Sequence, residues 1–251
     1  MKKDNLGNRM KGNYENRAKT QLLRRTPVII RLDGKAFHTF TRGFKKPFDD
    51  ILTETMQQTM LTLCKEIQGC VLGYTQSDEI TLVLTDYKNL ETAAWFDYDI
   101  QKVCSVSASM VTLAFNRCFL KEMMQNKVGL VNSVHFQAWT KGALFDSRCF
   151  NIPKEEVTNC ILWRQQDAIR NSINSVGQAN FSHKELQGLS TDQILKKLLE
   201  EKQIDWNKLP VYLQRGSCCI KKEVNGVDSW FIDTEIPIFK GKYRDYIENL
   251  L

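Results

Sequence analysis

The order of strand-like and helix-like segments in the first half of the chain limits its fold more than any other feature. Residues 27–32 form an apolar run typical of a strand, and apolar residues at three- and four-residue intervals predict a helix over 50–67. The runs 70–76 and 80–84 flank a tight polar turn and predict a β-hairpin. A second long helix is predicted over 97–120. The order β-α-β-β-α-β is that of a split βαβ sandwich, an antiparallel sheet backed by two helices.

The second half continues with shorter elements. Residues 133–140 and 143–152 are expected to form short strands, and Pro153 is expected to open a helix that continues toward residue 173. Local signals predict two later helix starts and a hairpin: Ser182 with Glu185, Ser190 with Gln193, and Asn225-Gly226.

Length and composition fit this α+β reading. The chain has 251 residues, 42% of them hydrophobic and 25% charged, which excludes disordered and fibrous proteins. No repeat, low-complexity tract or flexible linker divides it. We therefore expect one compact unit: a ferredoxin-like βαββαβ core in residues 1–134, and strands, helices and a β-hairpin extension in residues 135–251.

Charge and cysteine content exclude only a few classes of function. The net charge of +6 permits an anionic partner such as a nucleic acid or a nucleotide without requiring one. Eight scattered cysteines with no C-x-x-C pair, and only three histidines, argue against a structural zinc site and for buried free thiols. The polar N-terminus lacks the apolar segment of a secretory signal, and no uncharged run is long enough to span a bilayer. We expect a cytoplasmic protein without a membrane partner.

Three acids stand where strands end in this layout. Asp33 and Gly34 follow the first strand, and Asp78 and Glu79 lie in the turn of the hairpin. The first strand of such a sheet commonly neighbours the hairpin, which would bring Asp33 and Asp78 together at one edge. Two close carboxylates repel each other unless a cation bridges them or one of them stays protonated, and Mg²⁺ prefers such oxygen ligands. Aspartates in turns also hydrogen-bond their own backbone, so spacing alone leaves both interpretations open.

The residues around these acids resemble a known family. The matching segments are RLDGKAFHTFTRGFKKPFDD (31–50), GYTQSDEITLVL (73–84), QKVCSVSAS (101–109), FDSRCFNIP (145–153) and WRQQDAIRNSI (163–173). In that order they are similar to the histidine-tRNA guanylyltransferase superfamily, and the resemblance extends from about residue 14 to residue 216.

The resemblance implies a fold and an activity. Members of that superfamily are reverse polymerases, which add nucleotides to the 5′ end of tRNA in the 3′-to-5′ direction, and their catalytic core is similar to the polymerase palm. The implied reaction begins with activation of the tRNA 5′-phosphate by ATP. The 3′-hydroxyl of GTP or another nucleoside triphosphate then attacks the activated end. The implied partners are tRNA and nucleoside triphosphates, and family members typically form tetramers.

The resemblance also implies roles for particular residues. Asp33 and Asp78 would hold two Mg²⁺ ions with the Gly34 carbonyl, and Glu79 would be the accompanying catalytic acid. The nucleoside triphosphate would be surrounded by Asp33, Gly34, Lys35, Ala36, Phe37, His38, Lys46, Ser77 and Asp78. Contacts to phosphates or to tRNA are implied for Arg31, Lys102, Arg148, Arg164 and Asn171.

One departure from the family pattern bears on the substrate. Guanylyltransferases proper carry a His-Ile-Asn-Asn-Leu-Tyr-Asn segment after the W-R-Q-x-D motif, whereas this chain has AIRNSINSV, with Ile169 in place of the histidine and a match at Asn171. This resembles the guanylyltransferase-like branch, which is associated with templated repair of 5′-truncated tRNAs. We expect that activity, with addition of one extra G to histidine tRNA as the alternative. The arginine pair that many relatives place before Lys102 is replaced by Tyr98-Asp99.

Other interpretations stay open at the level of the sequence. A non-catalytic RNA-binding protein or a nucleotide cyclase could share the same fold. His135 is expected to be a structural histidine in a strand, because no acid or cysteine stands beside it in the sequence. Trp163, Trp206 and Trp230 are expected in the core or at interfaces rather than as base-stacking surfaces.

Overall fold

A six-stranded antiparallel sheet organises the protein. The computed structural model describes residues 5–126, 133–224 and 226–251. The strand order across the sheet is β4-β1-β3-β2-β5-β6. The strands are β1 (Val28–Gly34), β2 (Cys70–Gln76), β3 (Glu79–Leu84), β4 (Phe145–Asn151), β5 (Ser217–Val224) and β6 (Val227–Asp233).

Helices cover both faces of the sheet. They are α1 (Leu6–Asn13), α2 (Phe37–Phe40), α3 (Asp50–Glu66), α4 (Ile100–Gln125), α5 (Val134–Lys141), α6 (Lys154–Asn180), α7 (His183–Leu186), α8 (Thr191–Lys202), α9 (Val211–Arg215) and α10 (Asp245–Glu248). The prediction of an α+β fold with an antiparallel sheet backed by helices is confirmed.

Alternation along the strands explains the two layers. In β1, Val28, Ile30 and Leu32 point into a core with the apolar residues of α3 and α4. Ile29 points to the opposite face, where it packs with residues of α6 such as Ile161. Side chains two apart in a strand share a face, so each central strand is apolar on both sides and the sheet is buried between helices. A smaller third core joins the C-terminal half of α6 to α8.

Both predicted hairpins are present. In the first, Gln76 pairs with Glu79 across a two-residue turn, and Ser77 has a φ of 50°. In the second, β5 pairs with β6. Gly226 has the positive φ that its place in the turn requires, while Asn225 lies outside the described residues.

The capping boxes at Ser182 and Ser190 are confirmed as the starts of α7 and α8. Glu185 and Gln193 each accept a hydrogen bond from the backbone N–H of the capping serine. These local signals need no tertiary contact, which is why the sequence alone reveals them.

The prediction of a strand over 133–140 is wrong, because this segment forms the helix α5. The Ser133 hydroxyl accepts from the backbone N–H of Phe136 and caps the helix, and Gly142 ends it with a φ of 72°. Alternating apolar residues in a short window fit both periods, and the cap decides in favour of the helix.

The second long helix begins later than expected. Phe96, Asp97 and Tyr98 all have left-handed φ values near 50°, so no right-handed helix can include them. Asp99 then caps α4 by accepting from the Lys102 backbone N–H.

Helix α4 is the one described helix that is long and apolar enough to cross a membrane by length and composition. In the fold it packs against α3 and β4, and Val103, Val111, Phe115 and Phe119 are fully buried there. Its apolar composition is therefore explained by its place in the core.

Candidate functional site

The structure brings Asp33 and Asp78 to one end of the sheet. Strand β1 pairs with β3, with Asp33 opposite Glu79, and the backbone N–H of Gly34 donates to the Asp78 carbonyl at 3.1 Å. The expected neighbourhood of the first strand and the hairpin is therefore observed. The Ser77 hydroxyl also donates to Oδ1 of Asp78 at 3.2 Å.

The two aspartates have no cationic partner in the described part of the chain. No ion pair involves either carboxylate. Burial, and then the nearby charge of Asp33, raise the pKa of the Asp78 carboxyl above its usual range. This is the electrostatic condition of a carboxylate pair that a divalent cation would relieve.

Glu79 has a different environment from the two aspartates. The Arg164 guanidinium donates to both of its carboxylate oxygens, Nε to Oε1 and Nη2 to Oε2, at 2.7 Å each. Arg164 also donates to Asp167, at 3.0 Å. Both Glu79 and Arg164 are buried. Two parallel charge-assisted bonds make this a strong, geometrically fixed pair.

The implied phosphate or tRNA contact of Arg164 does not fit this placement. Its side chain is about 10% exposed, and its Nε and Nη2 groups donate to Glu79 and Asp167. Because these two groups neutralise buried carboxylates, they are not available to an external phosphate. The same bonds occupy Glu79, whose oxygens point to Arg164 rather than into open space.

A cavity of about 550 Å³ opens beside Asp78. It collects most of the residues for which the resemblance implies nucleotide contacts: Gly34, Ala36, Phe37, His38, Lys46, Ser77 and Asp78. Asn171 of α6 lines it as well, although the implied contact of Asn171 was to a phosphate or to tRNA. Asp33 and Lys35 lie next to these residues in the chain and are not among the lining residues.

The turn after β1 is shaped by the close approach of Phe37. A Cβ atom on Gly34 would overlap the Phe37 ring, so only glycine fits there. Ala36 has a left-handed φ of 54° and begins α2, which buries Phe37 against Phe115 and Phe145. The backbone of residues 34–38 thus curves around the cavity and is supported from below by the packed rings of Phe37, Phe115 and Phe145.

A second group of residues, for which the resemblance implies phosphate or tRNA contacts, lies on the same face of β1 as Asp33. It begins at Arg31, two residues before Asp33. Arg31 is half-buried beside the Trp163 ring, 5.7 Å from its centre, and forms no ion pair with any described residue. Arg148 stands opposite Arg31 on β4 and pairs with Asp146 at 2.9 Å. Trp163 is 52% exposed and so lies outside the core, whereas Trp206 is buried in it.

Lys102 does not reach this end of the sheet. It lies in the first turn of α4, and farther along that helix Cys104 is next to Cys149 and Ser107 bonds Ser147. Because Cys149 is paired with Ile30 and Ser147 with Leu32, this register carries Lys102 toward the Val28 end of β1, away from Asp33. The motif match places Lys102 in the right helix, but the helix runs the wrong way for a contact at this site.

A histidine–aspartate pair beside the cavity was missed by the sequence analysis. Nε2 of His135 lies 3.0 Å from Oδ2 of Asp49, which caps α3 and lines the cavity. His135 lies in helix α5 rather than in the expected strand, and its acidic partner is 86 residues away in the sequence. The detectable part of the signal is the cap itself, an aspartate directly before a helical apolar pattern.

Comparison with known proteins agrees with this geometry. The model of the Thg1 family, tRNAHis guanylyltransferase, matches residues 7–153. A probable tRNA(His) guanylyltransferase of Dictyostelium discoideum is 28% identical over 242 residues, 91% of this chain and 86% of that protein.

Solved structures are similar over nearly the whole chain. A bacterial tRNA(His) guanylyltransferase (Thg1)-like protein in complex with ATP is 44% identical, with a TM-score of 0.85 over 98% of this chain and 99% of that one. A bacterial Thg1-like protein in complex with GTP is 40% identical, with a TM-score of 0.80 over the same shares. Because the family model alone spans more than half of the chain, the protein belongs to the Thg1 family of tRNAHis guanylyltransferases, which are nucleotidyltransferases.

Proposed function

We propose that the protein adds nucleotides in the 3′-to-5′ direction to the 5′ end of tRNA, directed by a template, and so repairs 5′-truncated tRNAs. The observation that carries the proposal is the meeting of Asp33 and Asp78 at the rim of a cavity large enough for a nucleotide. The bacterial Thg1-like proteins solved with ATP and with GTP support nucleoside triphosphates as its ligands.

The residues present fit Mg²⁺. The described residues form no cluster of three or more metal-binding side chains. Mg²⁺ is commonly bound through one or two carboxylates together with substrate phosphates and water, so an unpaired aspartate pair suits it. Burial and then the charge of Asp33 raise the pKa of the Asp78 carboxyl, and a bound cation would offset both effects. Two ions at Asp33, Asp78 and the Gly34 carbonyl would activate an attacking oxygen and stabilise the leaving phosphate.

The chain's own residues would bind and orient the nucleotide in the cavity. Lys46 lines it and forms no ion pair with any described residue, so its ammonium is available to a triphosphate. The backbone of residues 34–38 and the exposed side chain of His38 border the same space. Positioning and charge neutralisation are most of what phosphoryl transfer needs from a protein.

The second reactant would approach Asp33 from the side of Arg31 and Arg148. Arg31 is half-buried without a carboxylate partner among the described residues, and its Nε is buried without a hydrogen bond. A guanidinium in that condition is suited to an external phosphate. Arg148 is exposed and could exchange Asp146 for an RNA phosphate. These two arginines, rather than Arg164 or Lys102, are the proposed contacts to the tRNA 5′ end.

The proposed reaction has two phosphoryl transfers. An oxygen of the tRNA 5′-phosphate attacks the α-phosphorus of ATP, and pyrophosphate leaves as the adenylylated end forms. The 3′-hydroxyl of the incoming nucleotide then loses its proton and attacks the 5′-phosphorus of that end, and AMP leaves. Each step brings polyanions together, so positive charge would supply the main electrostatic stabilisation: Lys46 and Arg31 directly, and Asp33 and Asp78 by holding Mg²⁺.

Two observations favour repair over addition of a single G. Ile169, which stands where guanylyltransferases proper have histidine, packs against the third apolar core and leaves Ala168 and Asn171 to line the cavity. The two bacterial Thg1-like proteins are also more similar to this chain, at 44% and 40% identity, than the Dictyostelium protein at 28%.

A competition experiment tests the proposal. Full-length histidine tRNA lacking the extra G and a 5′-truncated non-histidine tRNA are offered together, each with a labelled 5′ end, with ATP, the four nucleoside triphosphates and Mg²⁺. We expect extension of the truncated tRNA until its acceptor stem is paired. Preferential addition of one G to histidine tRNA would instead establish the alternative.

The same assay separates the remoter functions. A nucleotide cyclase would form cyclic products without tRNA, and a non-catalytic RNA-binding protein would bind tRNA without consuming nucleotides. Asp33→Asn is the matched inactive control, and equal extension by that variant would contradict the metal assignment. A homotetramer and a cytoplasmic location remain predictions.

A further inference from the structure

Helix α5 contacts the nucleotide cavity through one buried pair that the reaction above does not use. Nε2 of His135 lies 3.0 Å from Oδ2 of Asp49, and the two side chains are 14% and 6% exposed. A carboxylate accepts hydrogen bonds and cannot donate them, so the proton of this bond is on Nε2 of His135.

Asp49 distributes its oxygens between three donors. Oδ1 accepts from the Leu52 backbone N–H at 3.1 Å and so caps α3. Oδ2 accepts from the Lys45 backbone N–H at 3.1 Å as well as from His135. One carboxylate oxygen therefore joins α5 to the backbone of the loop that precedes α3.

That loop forms a wall of the cavity. Residues 44–49 all line it, and the His135 ring packs on Phe44 with ring centres 4.3 Å apart. Phe44 in turn stacks on Phe119 of α4. His135 thus holds the loop at two successive residues, by ring contact at Phe44 and through Asp49 at Lys45.

The two lysines of the loop point to different partners. Nζ of Lys45 pairs with Asp50 at 2.9 Å, at the surface. Lys46 has no such partner among the described residues and lines the cavity. Fixing the Lys45 backbone therefore fixes the position of the next residue, Lys46, which lines the cavity and has no ion-pair partner among the described residues.

We propose that His135 is a positioning residue for the triphosphate of the bound nucleotide, acting through Asp49 on the Lys45-Lys46 backbone. The inference rests on the proposed function, because the triphosphate is the ligand that the function assigns to this cavity. It predicts an effect on nucleotide binding rather than on the chemical step, since His135 touches neither aspartate of the metal site.

The test compares two substitutions of His135. His135→Phe keeps a ring against Phe44 and removes the hydrogen-bond donor to Asp49. The Kd and KM for ATP and GTP should then rise roughly tenfold, which is the size expected for the loss of one hydrogen bond to a charged acceptor. The value of kcat should stay within about twofold of the wild-type value. His135→Gln offers an amide N–H near the position of Nε2 and should restore most of the affinity. His183→Phe, an exposed histidine of α7, is the matched control and should leave both constants unchanged.

A substitution on the other side of the bond gives an independent answer. Asp49→Asn keeps an oxygen to cap α3 and loses the second acceptor, so it should raise the nucleotide Kd as His135→Phe does. Asp49→Asn removes the acceptor of the Lys45 backbone N–H as well as that of His135, so the double variant should bind nucleotide no more weakly than Asp49→Asn alone. If His135→Phe is unfolded at the assay temperature, Asp49→Asn alone decides the question.

Binding of ATP and GTP to the full chain, with Mg²⁺ and without RNA, separates the two hypotheses. A wild-type protein that binds no nucleotide overturns the proposed function. A wild-type protein that binds nucleotide, beside folded His135→Phe or Asp49→Asn variants with unchanged Kd, overturns the positioning role alone. A fall in kcat at unchanged KM would also contradict it.

Discussion

Both carboxylate oxygens of Glu79 are held by the one guanidinium of Arg164, each at 2.7 Å, in a buried position between β3 and α6. The pair divides the acids of the site into two kinds. Glu79 is neutralised by the protein itself, whereas Asp33 and Asp78 have no ion-pair partner in the described residues. Only Asp33 and Asp78 are therefore left to bind a cation from outside the protein.

Arg164→Met should destabilise the fold strongly. It removes the partner of Glu79 and leaves a buried carboxylate unpaired, a change that typically costs about 3–5 kcal/mol. Chemical denaturation at pH 7 measures the loss. Adding Glu79→Gln to the variant should recover part of the free energy of unfolding. If Arg164→Met is as stable as the wild-type protein, the pair contributes little to stability.

Asp33→Asn and Asp78→Asn should each lower the rate of nucleotide addition by at least about 100-fold, the scale seen when one preorganised electrostatic group is removed from an active site. Mg²⁺ should raise the Tm of the wild-type protein in the absence of nucleotide and RNA. That increase should be smaller in both variants, because a ligand stabilises only the state that binds it. Equal Mg²⁺ shifts in all three proteins would place the ion elsewhere.

The metal-free protein should show a pH dependence that Asp78 explains. The pKa of Asp78 is raised in the folded state. Its contribution to the free energy of unfolding is therefore fully present below the ordinary pKa of an aspartate and is lost as the pH rises through the raised value. Asp78→Asn should remove this decline. Unfolding curves between about pH 3 and pH 7, around the ordinary aspartate pKa, test it. A wild-type minus variant difference that is constant with pH would contradict the assignment.

Gly34→Ala should impair both stability and nucleotide binding. Its methyl group would overlap the Phe37 ring, and overpacking of this kind costs about 1–3 kcal/mol. Relief requires the turn over residues 34–38 to shift, which also moves a wall of the cavity. Gly12→Ala, where an added methyl group meets no atom within 4 Å, is the control. Thermal unfolding and nucleotide KM report the two effects separately.

Local patterns and strand order predicted much of this molecule. The hairpin around Ser77 and Asp78 has a tight-turn signature, and pairing it with β1 follows from the βαββ order, which suffices to bring Asp33 beside Asp78. Two features resisted prediction because they join distant segments. The bond between His135 and Asp49 joins residues 86 positions apart, and the bond between Arg164 and Glu79 joins residues 85 positions apart. The pattern of either partner alone does not reveal such a bond.

Lys102 marks the limit of inference from a motif. The resemblance implies a contact of Lys102 to a phosphate or to tRNA, and the register between α4 and β4 places this residue toward the opposite end of the sheet from Asp33. Which residues face the same ligand depends on the direction of each element, and a linear motif does not encode that direction.

The strand order also has a consequence for synthesis on the ribosome. The three strands that emerge first, β1, β2 and β3, are the central ones, and the later strands β4 and β5 flank them on either side. Asp33 and Asp78 can therefore come together in the nascent chain well before Asn171 of α6 and Tyr212 of α9 complete the lining of the cavity. Until translation is nearly complete, the protein has this pair of acids but lacks the full cavity beside them.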